Sequence, residues 1–305
     1  MFFALPTIAD AGICRWMEDR PPVSDVLAAL TDRLHARGRL RVWSLVITIF
    51  GDAVVPRGGR VALSALQEVM ERLRIEPGAL RTALSRLAND RWVIRERQGR
   101  NSFFSLDARG RHAFDLATRR IYAAGPPRWD GKWTVVIGPA GQGNEAAADL
   151  AAFGFVRVDG GVHLRPETAE APPADEILSK MLVIHGTSAD HPEAFGSLWP
   201  SHELALAYRA FVDGFRPLLD ALQAGRQLSP LDAMAARTLL IHDWRRIVLR
   251  DPGLPTALLP RDWPGEEART LARDVFGLLA GSSEAWLDAA GLPPPNEPGQ
   301  LARRW

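Results

Sequence analysis

The chain of 305 residues contains one cysteine, two lysines and no long apolar run. Because Cys14 has no second cysteine to pair with, no disulfide can form within the chain, and a reducing compartment is favoured. No apolar run approaches the roughly 18–20 residues that span a bilayer. The first residues lack a cationic segment and include Pro6, so no signal peptide is expected. These absences predict a cytoplasmic protein without a membrane anchor.

Charge is nearly balanced over the whole chain but is unevenly distributed along it. The formal net charge is +1, yet 16 arginines and 8 acidic residues lie between Arg39 and Tyr122, an excess of eight positive charges. A basic segment joined to an acidic remainder is typical of a protein in which one domain binds nucleic acid. The alternative is that these arginines are scattered over a solvated surface and bind no nucleic acid. The composition allows this, because the chain uses arginine in place of lysine almost everywhere. With 47% apolar residues, the chain can form the cores of two or three domains.

The pattern within the basic segment predicts two helices joined by a tight break. The second helix begins around Pro77, and Leu80, Leu84 and Leu87 then follow at the spacing of one buried helix face. Such a helix leaves its opposite face to solvent, and a face of cations and small hydrogen-bonding groups fits the major groove of DNA. The residues predicted to read base edges are Arg81, Thr82, Ser85 and Arg86.

A basic β-hairpin is predicted directly after this helix. Two strand-like runs, 92–97 and 101–106, flank the turn Gln98-Gly99-Arg100. Arginines near the tip of a hairpin are expected where a wing lies along the sugar-phosphate backbone. The residues predicted to contact phosphates there are Arg95, Arg97, Arg100 and Asn101. Helix, break, helix and hairpin together predict a winged helix-turn-helix.

Two further kinds of pattern follow the hairpin. After a helix at 107–122 and a linker at 124–127, strand patterns appear at 133–137, 155–158, 162–164 and 181–184, with a helix at 144–153. This order is typical of a ferredoxin-like α+β domain. The remainder is helical, at 200–221, 229–250, 265–280 and 283–290, with Ser229-Pro230 as a sound helix start.

The predicted fold class is therefore an α+β multi-domain protein. The expected segments are an N-terminal extension with a short amphipathic helix (1–38), a winged helix-turn-helix DNA-binding domain (39–123), a ferredoxin-like central domain (128–198) and an all-helical C-terminal domain (199–305). Within the first two segments, helices are expected at 24–37 and 41–53, then a short strand at 61–63 and a helix capped by Ser64.

Enzyme interpretations find little support in the sequence. The loop 138–144 lies between a strand and a helix but lacks the Lys-Ser/Thr of a P-loop. The strand 133–137 has no acid with which a nuclease would hold a metal ion. Irregular spacing argues against a metal site among the candidates His185, Asp190, His191, Glu193 and His202. We therefore expect no catalytic residues, no metal and no cofactor.

Several stretches of the sequence together resemble a known family. They are 44–52, 80–87, 110–114, 129–133, 242–246, 250–252 and 258–265. These stretches are similar to the PaaX family of repressors, which is named for the control of phenylacetate catabolism, and the likeness covers about residues 38–290. The resemblance implies a winged N-terminal domain, a central domain similar to a CRISPR-associated nuclease, a helical C-terminal domain, dimerisation, and release from DNA by an aryl-acyl-CoA. Residues 1–37 are not covered well.

The sequence thus predicts a dimeric transcriptional repressor of aromatic or acyl catabolism. Its expected partners are double-stranded DNA with a palindromic operator and an effector such as phenylacetyl-CoA or a related acyl-CoA. An acyl-CoA effector would need cations for its phosphates and an aromatic side chain for its aryl group. The residues that could supply these groups are His242, Arg245, Arg246 and Trp263, which we therefore predict to line an effector pocket. The simpler alternative is a core histidine and arginines with a structural role. Two other functions stay open: a winged-helix module that binds another protein, and an acyl-CoA-acting enzyme in the C-terminal helices.

Overall fold

The computed structural model describes residues 23–38, 40–138, 149–151, 153–169, 171, 173–188, 198, 202–297, 299 and 304–305. Cys14, most of the loop 138–144 and the candidate metal ligands Asp190, His191 and Glu193 lie outside the described residues. The described chain mixes helices with two antiparallel sheets, which confirms the α+β class. Its α-helices are α1 (Val23–Ala36), α2 (Val42–Ile49), α3 (Leu63–Arg72), α4 (Pro77–Asn89), α5 (Ala108–Ile121), α6 (Asp175–Leu178), α7 (His202–Gln223), α8 (Pro230–Val248) and α9 (Gly265–Ala289).

The strands form one three-stranded and one four-stranded sheet. They are β1 (Arg60–Ala62), β2 (Val93–Gln98), β3 (Asn101–Leu106), β4 (Lys132–Ile137), β5 (Val156–Asp159), β6 (Val162–Pro166) and β7 (Leu182–Thr187). The first sheet has the order β1-β3-β2 and the second β5-β6-β4-β7, with every neighbouring pair antiparallel. Within the described residues, none of the helices combines the length and the apolar character that a bilayer crossing requires.

Helix α2 ends earlier than the sequence suggested. The pattern predicted one helix to residue 53, but the α-helix gives way to a π-helical turn at Phe50–Val54 and a 3₁₀ turn at Val55–Arg57. Gly51 lies in this π turn against the ring of Phe114, where an added Cβ would approach to 2.4 Å. Within this turn the N–H of Val55 donates to the carbonyl of Phe50, five residues earlier, whereas Pro56 has no N–H to donate in the same way to Gly51.

The start of α3 also differs from the prediction. Ala62 still pairs with Phe103 of β3, and α3 begins immediately at Leu63, so the N-cap position belongs to Ala62 and not to Ser64. In contrast, Ser229 caps α8 as expected, because its Oγ accepts a hydrogen bond of 3.2 Å from the backbone N–H of Asp232. Local capping signals are therefore reliable only where no strand pairing competes for the same residues.

Helix α9 replaces the two C-terminal helices that the sequence predicted. It continues from Gly265 to Ala289 without a break at Gly281-Ser282. Buried Ser283 explains the continuity, because its Oγ donates to the carbonyl of Ala280 at 3.0 Å and accepts from Arg237 of α8 at 3.1 Å. Tertiary contacts thus outweigh the weak helix propensity of glycine and serine at this position.

One continuous hydrophobic core joins α1–α5 with α7–α9. It includes Phe50 of the π turn, Leu84 of α4, Phe215 of α7, Trp244 of α8 and Phe276 of α9. The indole Nε1 of Trp244 donates to the carbonyl of Ile121 at 2.7 Å. The C-terminal helices therefore pack directly on the basic segment, and α8 contacts both α2 and α3.

An internal ion-pair network, formed by Asp52, Arg57, Arg237 and Glu284, lies within this core. Arg237 donates to Asp52 and to Glu284 at 2.6 Å each, and Arg57 donates to Glu284 through Nε at 2.8 Å. Burial acts to lower the pKa of Arg237, but Asp52 and Glu284 outweigh it and raise that pKa. The network connects the π turn with α8 and α9.

The four-stranded sheet lies between two smaller cores. On one face, Val136 packs with Leu150 and Phe155. On the other face, Trp133 and Leu164 pack with the chain after α8, at residues 254–259. The chain after α8 thereby attaches one face of the sheet to the C-terminal part of the molecule.

Candidate nucleic-acid interface

Helix α4 presents a polar face to solvent because its three leucines are buried on the opposite face. Pro77 is its first residue, Leu80, Leu84 and Leu87 are buried, and α4 packs against α2 and α3. All four residues predicted to read base edges are exposed on the remaining face, namely Arg81, Thr82, Ser85 and Arg86. The structure therefore brings these side chains together on one accessible helix face.

The polar groups on this face have few competing partners. Thr82 Oγ1 donates to the carbonyl of Gly78, one turn earlier, at 3.0 Å. Arg86 Nε lies 3.7 Å from Asp90 Oδ2, and the Arg86 side chain is 70% exposed. An exposed pair at that distance is held weakly, so the guanidinium group can turn to an external acceptor at little cost.

The hairpin β2–β3 continues this surface. Arg95 and Arg97 follow Val93 at alternate positions, so they lie on the face of the hairpin whose first residue is buried in the core. Arg95 Nη2 donates to Ser102 Oγ at 3.0 Å, and Arg97 Nε donates to the carbonyl of Gly99 at 3.3 Å. Both contacts involve neutral oxygens, which leaves the positive charges without a neutralising acid among these partners.

The tip of the hairpin is a two-residue turn. Gln98 pairs with Asn101, so Gly99 and Arg100 form the loop, and Gly99 has a φ of +61°. A positive φ at the first loop position is the conformation that glycine adopts without strain. Arg100 and Asn101 are exposed at this tip, together with the other two residues predicted to contact phosphates.

A short connection fixes the hairpin relative to α4. The N–H of Trp92 donates to the carbonyl of Leu87 at 2.8 Å, and that of Arg91 to Ala88 at 3.1 Å, an arrangement that closes the C-terminal end of the helix. Arg91 carries the left-handed backbone of this closure, with a φ of +56°. The helix and the hairpin therefore form one rigid surface, which we call the α4–hairpin surface.

Sequence reasoning missed one cation beside this surface. Arg60 of β1 stacks over the ring of Phe103 at 3.6 Å and donates to Glu96 and Gln98 at 3.2 Å each. These partners belong to β2 and β3, so Arg60 braces the opposite face of the hairpin. Only the register of β1 against β3 reveals this contact, and no local pattern around Arg60 indicates it.

The predicted effector residues His242 and Arg245 lie together on α8, facing α2. His242 Nδ1 is 3.2 Å from Thr48 Oγ1, and burial, reinforced by Arg245 and Arg246, lowers the pKa of His242 to about 3. Arg245 donates to Thr48 Oγ1 at 2.8 Å and to the carbonyl of Ser44 at 2.9 Å. Burial and Arg246 lower the pKa of Arg245 to about 10. A neutral imidazole and a buried guanidinium group thus connect α8 to α2.

More cations surround this contact. Asp243 Oδ2 accepts from Arg33 at 3.2 Å, and its Oδ1 accepts from Arg37 at 2.5 Å, while Arg246 is exposed one turn from His242. We call Arg33, Arg37, Arg245 and Arg246 around Asp243 the junction cluster. Two of these four guanidinium groups, Arg33 and Arg37, pair with Asp243, and Asp213 is a further acid near Arg33, so the junction cluster has an excess of positive charge.

Trp263 does not contact the other predicted effector residues. Its ring lies edge-on to Tyr208 at 5.6 Å, and Tyr208 in turn lies 5.9 Å from Trp244. The hydroxyl of Tyr208 donates to Asp251 at 2.6 Å. The four residues therefore do not form one group, since His242 and Arg245 face α2 whereas Trp263 packs on Tyr208 of α7.

The structure is that of an α+β protein in which a basic helix and a basic hairpin are exposed on one surface. A family model described as "PaaX-like protein" matches residues 41–110, and one described as "PaaX-like protein C-terminal domain" matches residues 199–289. The chain is 32% identical over 267 residues to the transcriptional repressor PaaX of Escherichia coli (strain K12), which covers 81% of this chain and 83% of the repressor. The chain belongs to the PaaX family.

A solved structure supports the fold alone. The uncharacterized protein Rv0674 from Mycobacterium tuberculosis is similar with a TM-score of 0.54 and 20% identity, covering 80% of this chain and 97% of that one. The family predicted from the sequence motifs is thus confirmed by the comparison with the repressor. That relative is named as a regulator and not as an enzyme.

Proposed function

We propose that this protein is a dimeric, DNA-binding transcriptional repressor of phenylacetate catabolism, released from its operator by an aryl-acyl-CoA. The observation that carries the proposal is the α4–hairpin surface, in a chain related over most of its length to a transcriptional repressor. No catalytic step is part of the proposal. A cytoplasmic location, where the operator would be, follows from the same function.

Residues 39–123 are proposed to be a winged helix-turn-helix DNA-binding domain. Helices α3 and α4 are separated by only four residues, 73–76, and the hairpin follows α4 after three. At about 1.5 Å per residue, the 13 residues of α4 extend about 20 Å, a length that fits along a major groove. In this proposal the exposed face of α4 reads bases, while the hairpin lies on the backbone as the wing.

The residue roles follow from reach and chemistry. The residues proposed to contact base edges are Arg81, Thr82, Ser85 and Arg86, and those proposed to contact phosphates are Arg95, Arg97, Arg100 and Asn101. Arginine can donate two hydrogen bonds to a guanine, whereas threonine and serine can donate or accept one. Phosphate contacts set the orientation of the protein but carry no sequence information.

Dimerisation is proposed to use the four-stranded sheet. Its strand order and the helix α6 before β7 agree with a ferredoxin-like domain, and one sheet face is only partly covered. Ile137 pairs with Leu182 on that face, next to Ile184, and the last two are 60% and 47% exposed. Apolar side chains at this exposure fit a contact with a second copy. A two-fold dimer would place two α4 helices on a palindromic operator.

The junction cluster is proposed to receive the phosphates of the effector. Arg245 makes its three hydrogen bonds to neutral oxygens of Ser44 and Thr48, so a phosphate would be a stronger acceptor than its present partners. An anion bound there competes with the contact between α8 and α2, and α2 packs on α4. Effector and operator would then favour different arrangements of the same helices. Trp263, which packs on Tyr208 away from the junction cluster, is the aromatic group proposed to contact the aryl part.

The test is fluorescence-anisotropy binding to the DNA upstream of the gene for this chain, in moderate salt, with and without phenylacetyl-CoA. Tight binding that the thioester releases supports both the repressor and the effector. Tight binding that ignores the thioester keeps the repressor and removes the phenylacetyl effector. If the protein shows no preference for this DNA over scrambled DNA, the α4–hairpin surface binds something else, such as an acidic protein.

A further inference from the structure

The chain after α9 crosses the turn that follows α2. Leu292 is buried, and the N–H of Asn296 donates to the carbonyl of Pro56 at 2.7 Å. Arg57 Nη1 donates to the carbonyl of Pro293 at 3.1 Å. Residues 292–296 therefore lie against the 3₁₀ turn at Val55–Arg57, which connects the π turn to β1.

Arg304 contacts the π turn itself. Its Nη2 donates to the carbonyl of Gly51 at 3.0 Å, and its Nη1 donates to Asp52 Oδ1 at 3.2 Å. The guanidinium group lies 4.3 Å above the ring of Tyr122, and the side chain is only 8% exposed. Arg304 thus supplies a donor to a carbonyl that the π turn removes from the regular helix ladder.

Trp305 fills a slot between three elements. Its ring lies 5.4 Å from Tyr122 after α5, 5.9 Å from Trp244 of α8 and 6.3 Å from Phe276 of α9. The indole Nε1 is buried, yet it has no hydrogen-bond partner in the part of the chain that the structure describes. A buried donor without an acceptor opposes insertion, whereas the aromatic contacts favour it. The two contributions to the stability of the inserted state therefore oppose each other.

The charges around the slot also depend on Arg304. Asp52, Glu284 and Asp288 contact Arg57, Arg237 and Arg304, so three carboxylates meet three guanidinium groups. Without Arg304, the carboxylates outnumber the cations, and Gly51 loses its donor. Release of Arg304 therefore weakens the π turn rather than the whole core.

We propose that Arg304 and Trp305 form a releasable strap that fixes the π turn, and through it α2 and α4, on the C-terminal helices. With the strap inserted, α2 is held in contact with α8 on one side and α4 on the other. With the strap released, the π turn opens locally, and α4 loses the rigid support that binding to a groove requires. The effect on DNA rests on the proposed function, whereas the strap and its local release do not.

Amide hydrogen exchange of the full-length chain tests the strap. Arg304→Ala and Trp305→Ala are expected to accelerate exchange in the π turn and α2 by about tenfold or more, while α7 keeps the wild-type rate. Arg304→Lys, which retains charge but not the planar donor pair, should fall between wild type and Arg304→Ala. Arg209→Ala, at an exposed ion pair with Asp262, is the matched control and should change neither region.

Two results would overturn the strap. One is unchanged exchange in the π turn in both Arg304→Ala and Trp305→Ala. The other is an equal acceleration of all helices, since this would mean that the two residues stabilise the whole fold and not the π turn. Operator affinity is measured on the same variants and is expected to fall about tenfold. If the wild type itself ignores the operator, the proposed function fails, while the exchange pattern still decides the strap.

Discussion

The arginines of the internal ion-pair network and those of the α4–hairpin surface differ in burial and in partners. Arg237 is fully buried and donates to two carboxylates and to Ser283. Arg86 is 70% exposed and has one acid at 3.7 Å, while Arg97 donates only to a backbone carbonyl. In the internal network the buried cation is paired with acids, whereas on the α4–hairpin surface the cations stay accessible to an external anion.

This difference changes the meaning of the charge count along the chain. Arg57 and Arg72 both belong to the basic segment, yet they pair with Glu284 and Asp232 of the C-terminal helices. The excess positive charge of that segment is therefore partly neutralised within the fold. The arginines that stay accessible to a nucleic acid lie on α4 and the hairpin. The positive charge available for binding is therefore smaller than the net charge of the segment suggests, but it is concentrated on one surface.

The largest expected effect is on Arg237. Arg237→Met should lower the free energy of unfolding by about 3–5 kcal/mol, because Asp52 stays buried after losing its main partner. Urea denaturation followed by circular dichroism measures this loss. Arg209→Ala, at the surface of the same helices, should change the free energy by less than about 0.5 kcal/mol. If Arg237→Met is as stable as the wild type, the network is not a structural requirement, and the contrast with the surface arginines disappears.

The second effect concerns Arg86. Arg86→Ala should lose about 1–3 kcal/mol of binding free energy for the operator, if the guanidinium group contacts a guanine, with no measurable loss of stability. Anisotropy titrations with the operator and with scrambled DNA measure both affinities. The matched control is Arg216→Ala, at an exposed pair with Glu267 far along the chain from the hairpin. An equal loss on both DNAs would show that Arg86 contacts phosphate and does not read bases.

Helix α4 was predictable because its signal is local. The spacing of Leu80, Leu84 and Leu87 fixes which face is buried, so the exposed positions of Arg81 and Arg86 follow without tertiary information. The hairpin was predictable for the same reason, since Gly99 marks the turn between two strand-like runs. Their role on DNA stays a prediction, because a helix face shows what it offers but not what it binds.

The remainder depends on contacts between distant parts of the chain. Asp52 and Arg237 are 185 residues apart, and nothing near either one indicates that they meet. The continuity of α9 through Ser283 depends on the same arginine. The predicted effector group was likewise divided by packing, because His242 faces α2 while Trp263 contacts Tyr208. Sequence patterns indicated which residues in these regions could bind a ligand, but not which residues they contact in the fold.

The third effect is a dependence of stability on pH that comes from His242. Burial and the adjacent arginines lower its pKa to about 3 in the folded chain, against about 6.5 when unfolded. The unfolded state therefore binds the proton first as the pH falls, so stability is full above pH 6.5 and declines towards pH 3. The expected loss is about 0.8 kcal/mol at pH 6.

Urea denaturation of the wild type and of His242→Gln between pH 5 and pH 7.5 measures this contribution. The free-energy difference between the two proteins should shrink as the pH falls, since glutamine does not titrate. A difference that stays constant over this range would mean that His242 titrates normally, and that the contact between α8 and α2 is open to water.

The smallest expected effect is on the salt dependence of DNA binding in Arg97→Ala, and it distinguishes phosphate contacts from base contacts. Arg97→Ala should weaken binding to operator and scrambled DNA alike, and it should reduce the slope of log affinity against log salt by about one unit. The reason is that each phosphate contact releases a bound counterion, whatever the sequence. Titrations at several salt concentrations give this slope for the wild type and the variant.

Arg60→Ala is the comparison variant, because Arg60 stabilises the hairpin through its contacts with Phe103 and Glu96. If Arg60→Ala lowers the slope as much as Arg97→Ala, the exposed cations act through the shape of the hairpin and not by direct contact.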